Sequence, residues 1–313
     1  LRAFVVRDNQ PHRLTIAQVP EPTAKANEVI VRVHAFSLNR GEVSRVAAGH
    51  PFYPEDTIPG WDVAGVVVAA AKDGTGPAIG AHVAGLARNF GAWAERVALT
   101  TDLVVSLPDD VSFERASALP VAGLTALRAV EAGGPLLGRR VLVTGAAGGV
   151  GGAAAQLAHL AGAHVTGVVS APARATGLYA LGVDEIVTEL SAQGPSFDVL
   201  IESAGGDSLA AALTRVAPGG TVVSLGNSSG QLTTFDAAAF YVRGGATVYA
   251  LHLLLELDRR ASGVRDLGTL LDLMRHNRFD PRIERVSDWR ECHSLIDDLM
   301  ARKLQGKAVL VID

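Results

Sequence analysis

Residues 141–152 read Val-Leu-Val-Thr-Gly-Ala-Ala-Gly-Gly-Val-Gly-Gly and continue as Ala-Ala-Ala-Gln-Leu-Ala. A short apolar run, a glycine-rich break and an alanine-rich stretch describe strand, tight turn and helix. Glycine lets the chain turn sharply and lets a phosphate group reach main-chain N–H groups at the helix N-terminus, where the helix dipole favours negative charge. The first expectation is therefore a dinucleotide seated on this turn. The pattern also restricts the fold, because such a turn belongs to a strand–helix–strand unit of a parallel sheet.

The sequence downstream repeats that alternation. Apolar strands are expected at 141–143, 164–169, 185–188, 198–202, 221–225 and 247–251, with helices over 150–161, 172–181 and 208–216. Six strands with crossovers of this length predict an α/β, doubly wound parallel sheet. The first ~110 residues differ, with alternating strands at 28–35, 64–70, 82–86 and 92–98 broken by Pro and Gly and few helical windows. After about residue 255 come a helix (266–276), a strand (282–286), a second helix (289–303) and a short strand (308–312). A terminal strand that short must join an existing sheet, and the N-terminal β region is the candidate. The expected organisation is a substrate domain of 1–113 with 256–313, split by a dinucleotide-binding domain of 114–255, with the ligand in the cleft between them.

Composition narrows the partners. The 313 residues carry a net charge of −4 without a basic face, which argues against nucleic acid and for a small-molecule substrate. The single cysteine, Cys292, excludes an intramolecular disulfide and a multi-cysteine zinc site. No apolar run approaches the roughly 20 residues of a membrane-spanning helix, and no N-terminal signal pattern is present, so a cytoplasmic protein is expected.

Several local patterns occur together in one order: Ser37-Leu38-Asn39-Arg40-Gly41, Ile58-Pro59-Gly60-Trp61-Asp62-Val63-Ala64-Gly65, Gly91-Ala92-Trp93-Ala94-Glu95 and Gly123-Leu124-Thr125-Ala126. The Gly145–Gly151 turn, Glu202-Ser203-Ala204-Gly205-Gly206, Gly226-Asn227-Ser228-Ser229-Gly230 and Gly306-Lys307-Ala308-Val309-Leu310 complete the series. Over essentially its whole length the chain resembles the medium-chain dehydrogenase/reductase superfamily, specifically its zinc-free quinone oxidoreductase branch. The resemblance implies a Rossmann domain inserted into a split GroES-like domain, NADPH as cofactor, and a homodimer. The turn also matches the fingerprint of short-chain dehydrogenases through Thr144, Gly145, Gly149 and Gly151. That family needs a Tyr with a Lys four residues on, and none of Tyr53, Tyr179, Tyr241 or Tyr249 has one.

Zinc enzymes of the superfamily hold their metal with Cys and His. Here Asn39 lies near where the first catalytic cysteine would fall, Trp61-Asp62 replaces a His-Glu pair, and no metal is expected. An NAD site usually carries an acid at the end of the second strand, which would repel the extra phosphate of NADP. Here that strand ends Val169-Ser170-Ala171-Pro172-Ala173-Arg174, and the first acid is Asp184. Ser170 and Arg174 can donate to the phosphate, and NADPH is expected over NADH. Arg174 as a plain solvated helix residue is the alternative.

The cofactor-binding residues expected from the turn are Gly145, Gly148, Gly149, Val150 and Gly151. Gly226, Asn227 and Ser228 follow the fifth strand at the ligand-binding edge of such a sheet. The resemblance places Asn39 and Tyr53 beside the nicotinamide, with Thr125 close to it. Tyr53 either bonds a substrate carbonyl and donates a proton or packs in its proline-rich loop. Asn39 either acts there or serves as a turn residue. Lys307 either reaches the cofactor or is an ordinary solvated lysine.

With no metal, nucleophilic cysteine or Tyr/Lys pair, the chain can do little beyond holding a hydride donor against an electrophile, which favours quinones and α,β-unsaturated carbonyls. A free-standing enoyl-thioester reductase and a non-catalytic NADPH-binding protein are the alternatives. The apolar strand 245–251 lies at a sheet edge and is expected to pair with its twin in a homodimer.

Overall fold

The strand Glu28–Ser37 is buried along nearly its whole length because it is paired on both sides. The computed structural model describes residues 1–313. Contacts divide them into two compact units, Leu1–Leu124 with Leu257–Asp313, and Thr125–Glu256.

The first unit begins with an antiparallel hairpin of β1 (Arg2–Val6) and β2 (Leu14–Gln18). Its main sheet contains β3 (Glu28–Ser37), β4 (Asp62–Ala69), β5 (His82–Leu86), β6 (Arg96–Thr100) and β7 (Val104–Ser106). β3 pairs antiparallel with β4 on one side. On its other side the first half, Glu28 to Arg32, takes β6. Beyond Arg32 that edge would be bare, and an unpaired buried edge leaves backbone groups unsatisfied. The last strand of the chain covers it through Ala35, Phe36 and Ser37. β4 follows β3 closely only because Gly65 has no side chain, since a Cβ there would lie 2.0 Å from the Arg32 carbonyl oxygen.

The strand expected at 92–98 starts only at Arg96. Upstream of it the backbone is taken by the first hairpin, through Phe4 N–H to Trp93 O at 2.9 Å and a bridge between Ala3 and Ala94. A helix not foreseen in this region, Arg40–Ala47, buries Glu42, Val43 and Val46. An acid on its packed face breaks the apolar periodicity that would have revealed it.

In the second unit β8 (Arg140–Thr144), β9 (His164–Val168), β10 (Glu185–Val187), β11 (Phe197–Glu202), β12 (Val216–Ser224) and β13 (Thr247–Ala250) are all parallel. Their spatial order is β10-β9-β8-β11-β12-β13. The chain runs outward one way from β8 and the other way from β11, so their carboxyl ends flank the switch point at which doubly wound sheets bind ligands. The helices Gly149–Leu160 and Gly206–Arg215 follow β8 and β11. The helix expected over 172–181 is instead two 3₁₀ turns, Pro172–Ala175 and Tyr179–Leu181. Thr176 leaves helical geometry between them and Gly177 has φ +76°.

The chain then returns to the first unit as the helix Gly263–Arg275, β14 (Ile283–Asp288), a 3₁₀ turn Trp289–Glu291, the helix Cys292–Met300 and β15 (Lys307–Val311). β15 lies parallel to β14 and antiparallel to β3, so the short terminal strand does join the sheet begun near residue 28.

Aromatic packing joins these distant segments. Phe4 meets Trp93 and Trp289 edge-on at centroid distances of 6.3 and 5.6 Å, and Phe36 stacks on Trp93 at 5.8 Å. Trp93 is fully enclosed. Trp93→Ala is expected to cost about 3–5 kcal/mol, seen as a lower denaturation midpoint at unchanged slope. A loss below about 1 kcal/mol would show that this cluster does not support the unit.

Candidate active site

The structure sorts the predicted residues into two sets, one in each unit. In the second unit the turn after β8 is closed by Gly148 N–H to Gly145 O at 2.8 Å and anchored by Ala146 N–H to Val168 O at 3.1 Å. Gly145 has φ +63°, and a Cβ on Gly151 would lie 2.2 Å from the Gly145 oxygen. Only glycine allows the helix to start this close to the strand. Gly148 is the N-cap and has no side chain to satisfy the first N–H groups of the helix. The donors of Gly149, Val150 and Gly151 are therefore available to an anion.

The neighbouring loops are tied to this turn. Ser203 donates its backbone N–H to Thr144 Oγ1 at 2.8 Å, and Ser228 donates its own to Ser203 O at 3.1 Å. The buried Glu202 carboxylate accepts from Ala204 N–H (2.8 Å), Gly205 N–H (3.0 Å) and Ser208 Oγ (2.9 Å), shaping the loop after β11. Asn227 accepts from Ser229 Oγ at 3.1 Å and donates to Gln231 O at 3.3 Å. Thus Gly226, Asn227 and Ser228 run beside the loop after β11. From sequence Glu202 and Ser203 stand only as part of the Glu202–Gly206 motif, with no role given to either, although an acid ending an apolar strand is a legible signal. Ser170 is exposed after β9, and Arg174 lies half-buried in the first 3₁₀ turn. Asp184, the nearest acid downstream, is engaged by Val165 N–H at 2.7 Å. Thr125 is buried on the helix Pro120–Ala132.

The second set lies in the first unit around Asp62, which has no solvent exposure. Its Oδ2 accepts from Ser37 Oγ (2.6 Å), Asn39 Nδ2 (2.9 Å) and Lys307 Nζ (3.1 Å), and its Oδ1 from Val121 N–H (2.7 Å). Lys307 also donates to Leu38 O at 3.0 Å and Asn39 Oδ1 at 2.7 Å. It is buried, which overturns the solvated-lysine alternative. Its three N–H donors are all engaged, leaving none for a direct contact with a ligand in this arrangement.

Asn39 starts the Arg40–Ala47 helix, and its carbonyl takes the N–H groups of Glu42 and Val43. Its side chain makes no cap and bridges Asp62 to Lys307 instead. Tyr53 is enclosed, with its ring 4.7 Å from that of Phe90 and its hydroxyl unpartnered. Burial, and then the nearby Glu42, push its phenol well above the usual range, making it a weaker acid. Glu42 is buried beside the cluster, and burial first, then Asp62, raise its carboxyl to about 8. No sequence reasoning singled it out. The available signal was its position four residues before Val46, on the packed face of the helix.

Residues 25–109 match the alcohol dehydrogenase GroES-like domain and residues 149–260 the zinc-binding dehydrogenase family. A chloroplast envelope quinone oxidoreductase homolog of Arabidopsis thaliana is 35% identical over 70% of this chain and 72% of its own length. The chain belongs to the medium-chain dehydrogenase/reductase superfamily. Quinone oxidoreductases are among its relatives and structural neighbours, and it is an oxidoreductase. The 2-methylene-furan-3-one reductase of Solanum lycopersicum is 34% identical over 67% of this chain and 57% of that protein. Mycobacterial Rv1454c complexed with NADPH shares the fold, with a TM-score of 0.89 at 23% identity over the full length of both chains.

The superfamily includes zinc enzymes, and the donor set here does not fit that metal. No three or more His, Cys, Asp and Glu side chains are grouped to hold an ion, Asp62 is committed to Lys307, and Cys292 is buried alone.

Lys307→Met leaves Asp62 as a buried carboxylate without its cation. A loss of about 3–5 kcal/mol in unfolding free energy is expected. Adding Asp62→Asn should recover part of it, and strict additivity in the double-mutant cycle would contradict a coupled pair.

Proposed function

We propose that this oxidoreductase uses NADPH, without zinc, to reduce quinones or α,β-unsaturated carbonyls. The observation that carries this reading is the Gly145–Gly151 turn at the switch point, next to a β9 whose end offers Ser170 and Arg174 and no carboxylate. The helix N-terminus would hold the pyrophosphate through backbone N–H groups, and Ser170 and Arg174 would hold the additional phosphate. Gly226, Asn227 and Ser228 would line the nicotinamide half. The cofactor when bound supplies the hydride. Asn39, its amide fixed at both ends by Asp62 and Lys307, is the proposed residue at the reacting end, with Thr125 and Tyr53 in supporting roles. Lys307 would act through Asn39.

The substrate class follows from what the donor set lacks. An unactivated alcohol or ketone needs a Lewis acid or a strong general acid, whereas a quinone or enone is already polarised for hydride addition. The names of the Arabidopsis and tomato relatives support this class.

NADPH oxidation is expected with a panel of quinones and enones. Arg174→Ala should weaken NADPH by about 10- to 100-fold, the loss of a charged hydrogen bond, and leave NADH within about 2-fold, since NADH has no phosphate to lose. Equal losses for both cofactors would refute the assignment of Arg174. Tight NADPH binding without turnover of any acceptor would favour a non-catalytic role.

We also propose a homodimer through the outer strand at 245–251. β13 is the edge of its sheet, and Thr247, Val248 and Ala250 are exposed on it. Light scattering at micromolar concentration should give twice the chain mass, and Val248→Lys should give the monomer. A monomeric wild type would rule this out.

A further inference from the structure

Glu42 is fully buried, and neither carboxylate oxygen has a hydrogen-bond partner. The neighbouring cation has nothing left to give it. The three N–H donors of Lys307 go to Leu38 O, Asn39 Oδ1 and Asp62 Oδ2, and its charge is already matched by Asp62. The Asn39 amide gives one N–H to Asp62 and its oxygen to Lys307, while its second N–H and the Gly60 N–H lie toward Glu42 without closing a hydrogen bond to it. The other titratable groups facing Glu42 are Tyr53, from the loop that follows its helix, and Cys292, from the helix Cys292–Met300. Burial raises both, and the proximity of Glu42 raises them further, so both stay neutral. Arg45 acts on Tyr53 from the same helix as Glu42.

The cluster is therefore neutral and complete when Glu42 carries its proton. A second, ionised carboxylate there would be a buried charge with no cation of its own, met only by the Asn39 and Gly60 N–H groups, which costs several kcal/mol unless a cation moves to it. The direction of its titration agrees. Burial and then Asp62 hold the proton on up to about pH 8, against the opposing influence of Lys307, Asn39 and the Gly60 N–H.

We propose that Glu42 is a positioning residue. As the neutral acid it leaves Lys307 wholly to Asn39 and Asp62 and so fixes the Asn39 amide. On releasing its proton to solvent it draws the Lys307 ammonium off Asn39 Oδ1. The effect on turnover rests on the proposed place of Asn39 at the reacting end, whereas the charge state of Glu42 does not.

Three measurements on the whole protein test this. Infrared spectra at neutral pH should show a neutral-carboxyl C=O stretch that shifts in D₂O, disappears as the pH passes about 8 and is missing from Glu42→Gln. Relative to Glu42→Gln, the wild type should lose unfolding free energy as pH rises from the ordinary glutamate range to about 8 and no further. The unfolded chain gives up its proton first over that interval. The wild type should show a fall in kcat/KM for the acceptor over the same final interval, and the glutamine variant should lack that limb. Glu42→Met is the second neutral variant should glutamine not fold, and the wild-type infrared band needs neither. An ionised Glu42 at neutral pH, or an alkaline limb retained without Glu42, overturns the proposal. Absence of turnover with every acceptor would defeat the reductase reading and leave the infrared and unfolding results to decide Glu42.

Discussion

The ion pair between Asp62 and Lys307 joins residues 245 positions apart in a place with no solvent. A buried carboxylate is tolerated only when its lone pairs and its charge are both met, and Asp62 takes four donors to achieve this. One of them is the first residue of β15, the strand that also covers the open half of β3. The charge requirement of one side chain and the backbone requirement of one strand edge are thus met by the same five-residue segment. That is the physical sense in which the first unit is split, since its sheet and its buried pair both remain incomplete until the chain returns from the second unit.

The two candidate sets of residues work on different principles. The Gly145–Gly151 turn uses backbone donors, and its demand on sequence is negative: no side chain at Gly151, and none to cap the helix at Gly148. The Asp62 cluster uses side chains, and its demand is a closed hydrogen-bond count in which Asn39 is held as a bridge. Glu42 lies just outside that count. For this reason its protonation state bears on the orientation of Asn39, whose amide also faces it.

Local pattern made the second unit legible. Each of its strands is a short apolar run followed by a turn signal, and the parallel order follows from crossover length and handedness. The misjudged stretch, 172–181, has helix formers interrupted by Gly177, where the backbone conformation outweighs propensity. The first unit was less legible where a segment's partner is remote. The 92–98 stretch has strand character, but its first residues pair with the N-terminal hairpin. Glu42 on an exposed helix face would be unremarkable, and nothing in its neighbours announces that it is buried near Cys292 and Lys307.

From its sequence alone this chain specified a nucleotide turn, six crossover-linked strands, a terminal strand that must join an earlier sheet, and membership of its superfamily. These depend on periodicity, glycine spacing and motif order, which are local properties or sums of local ones. Tertiary structure alone decided that Lys307 is a buried structural cation, that Asp62 is the centre of its cluster, that the Tyr53 hydroxyl is enclosed, and that Glu42 has no partner. Burial and hydrogen-bond satisfaction depend on which distant segments meet, and a carboxylate or an ammonium reads the same in sequence whether water or protein surrounds it.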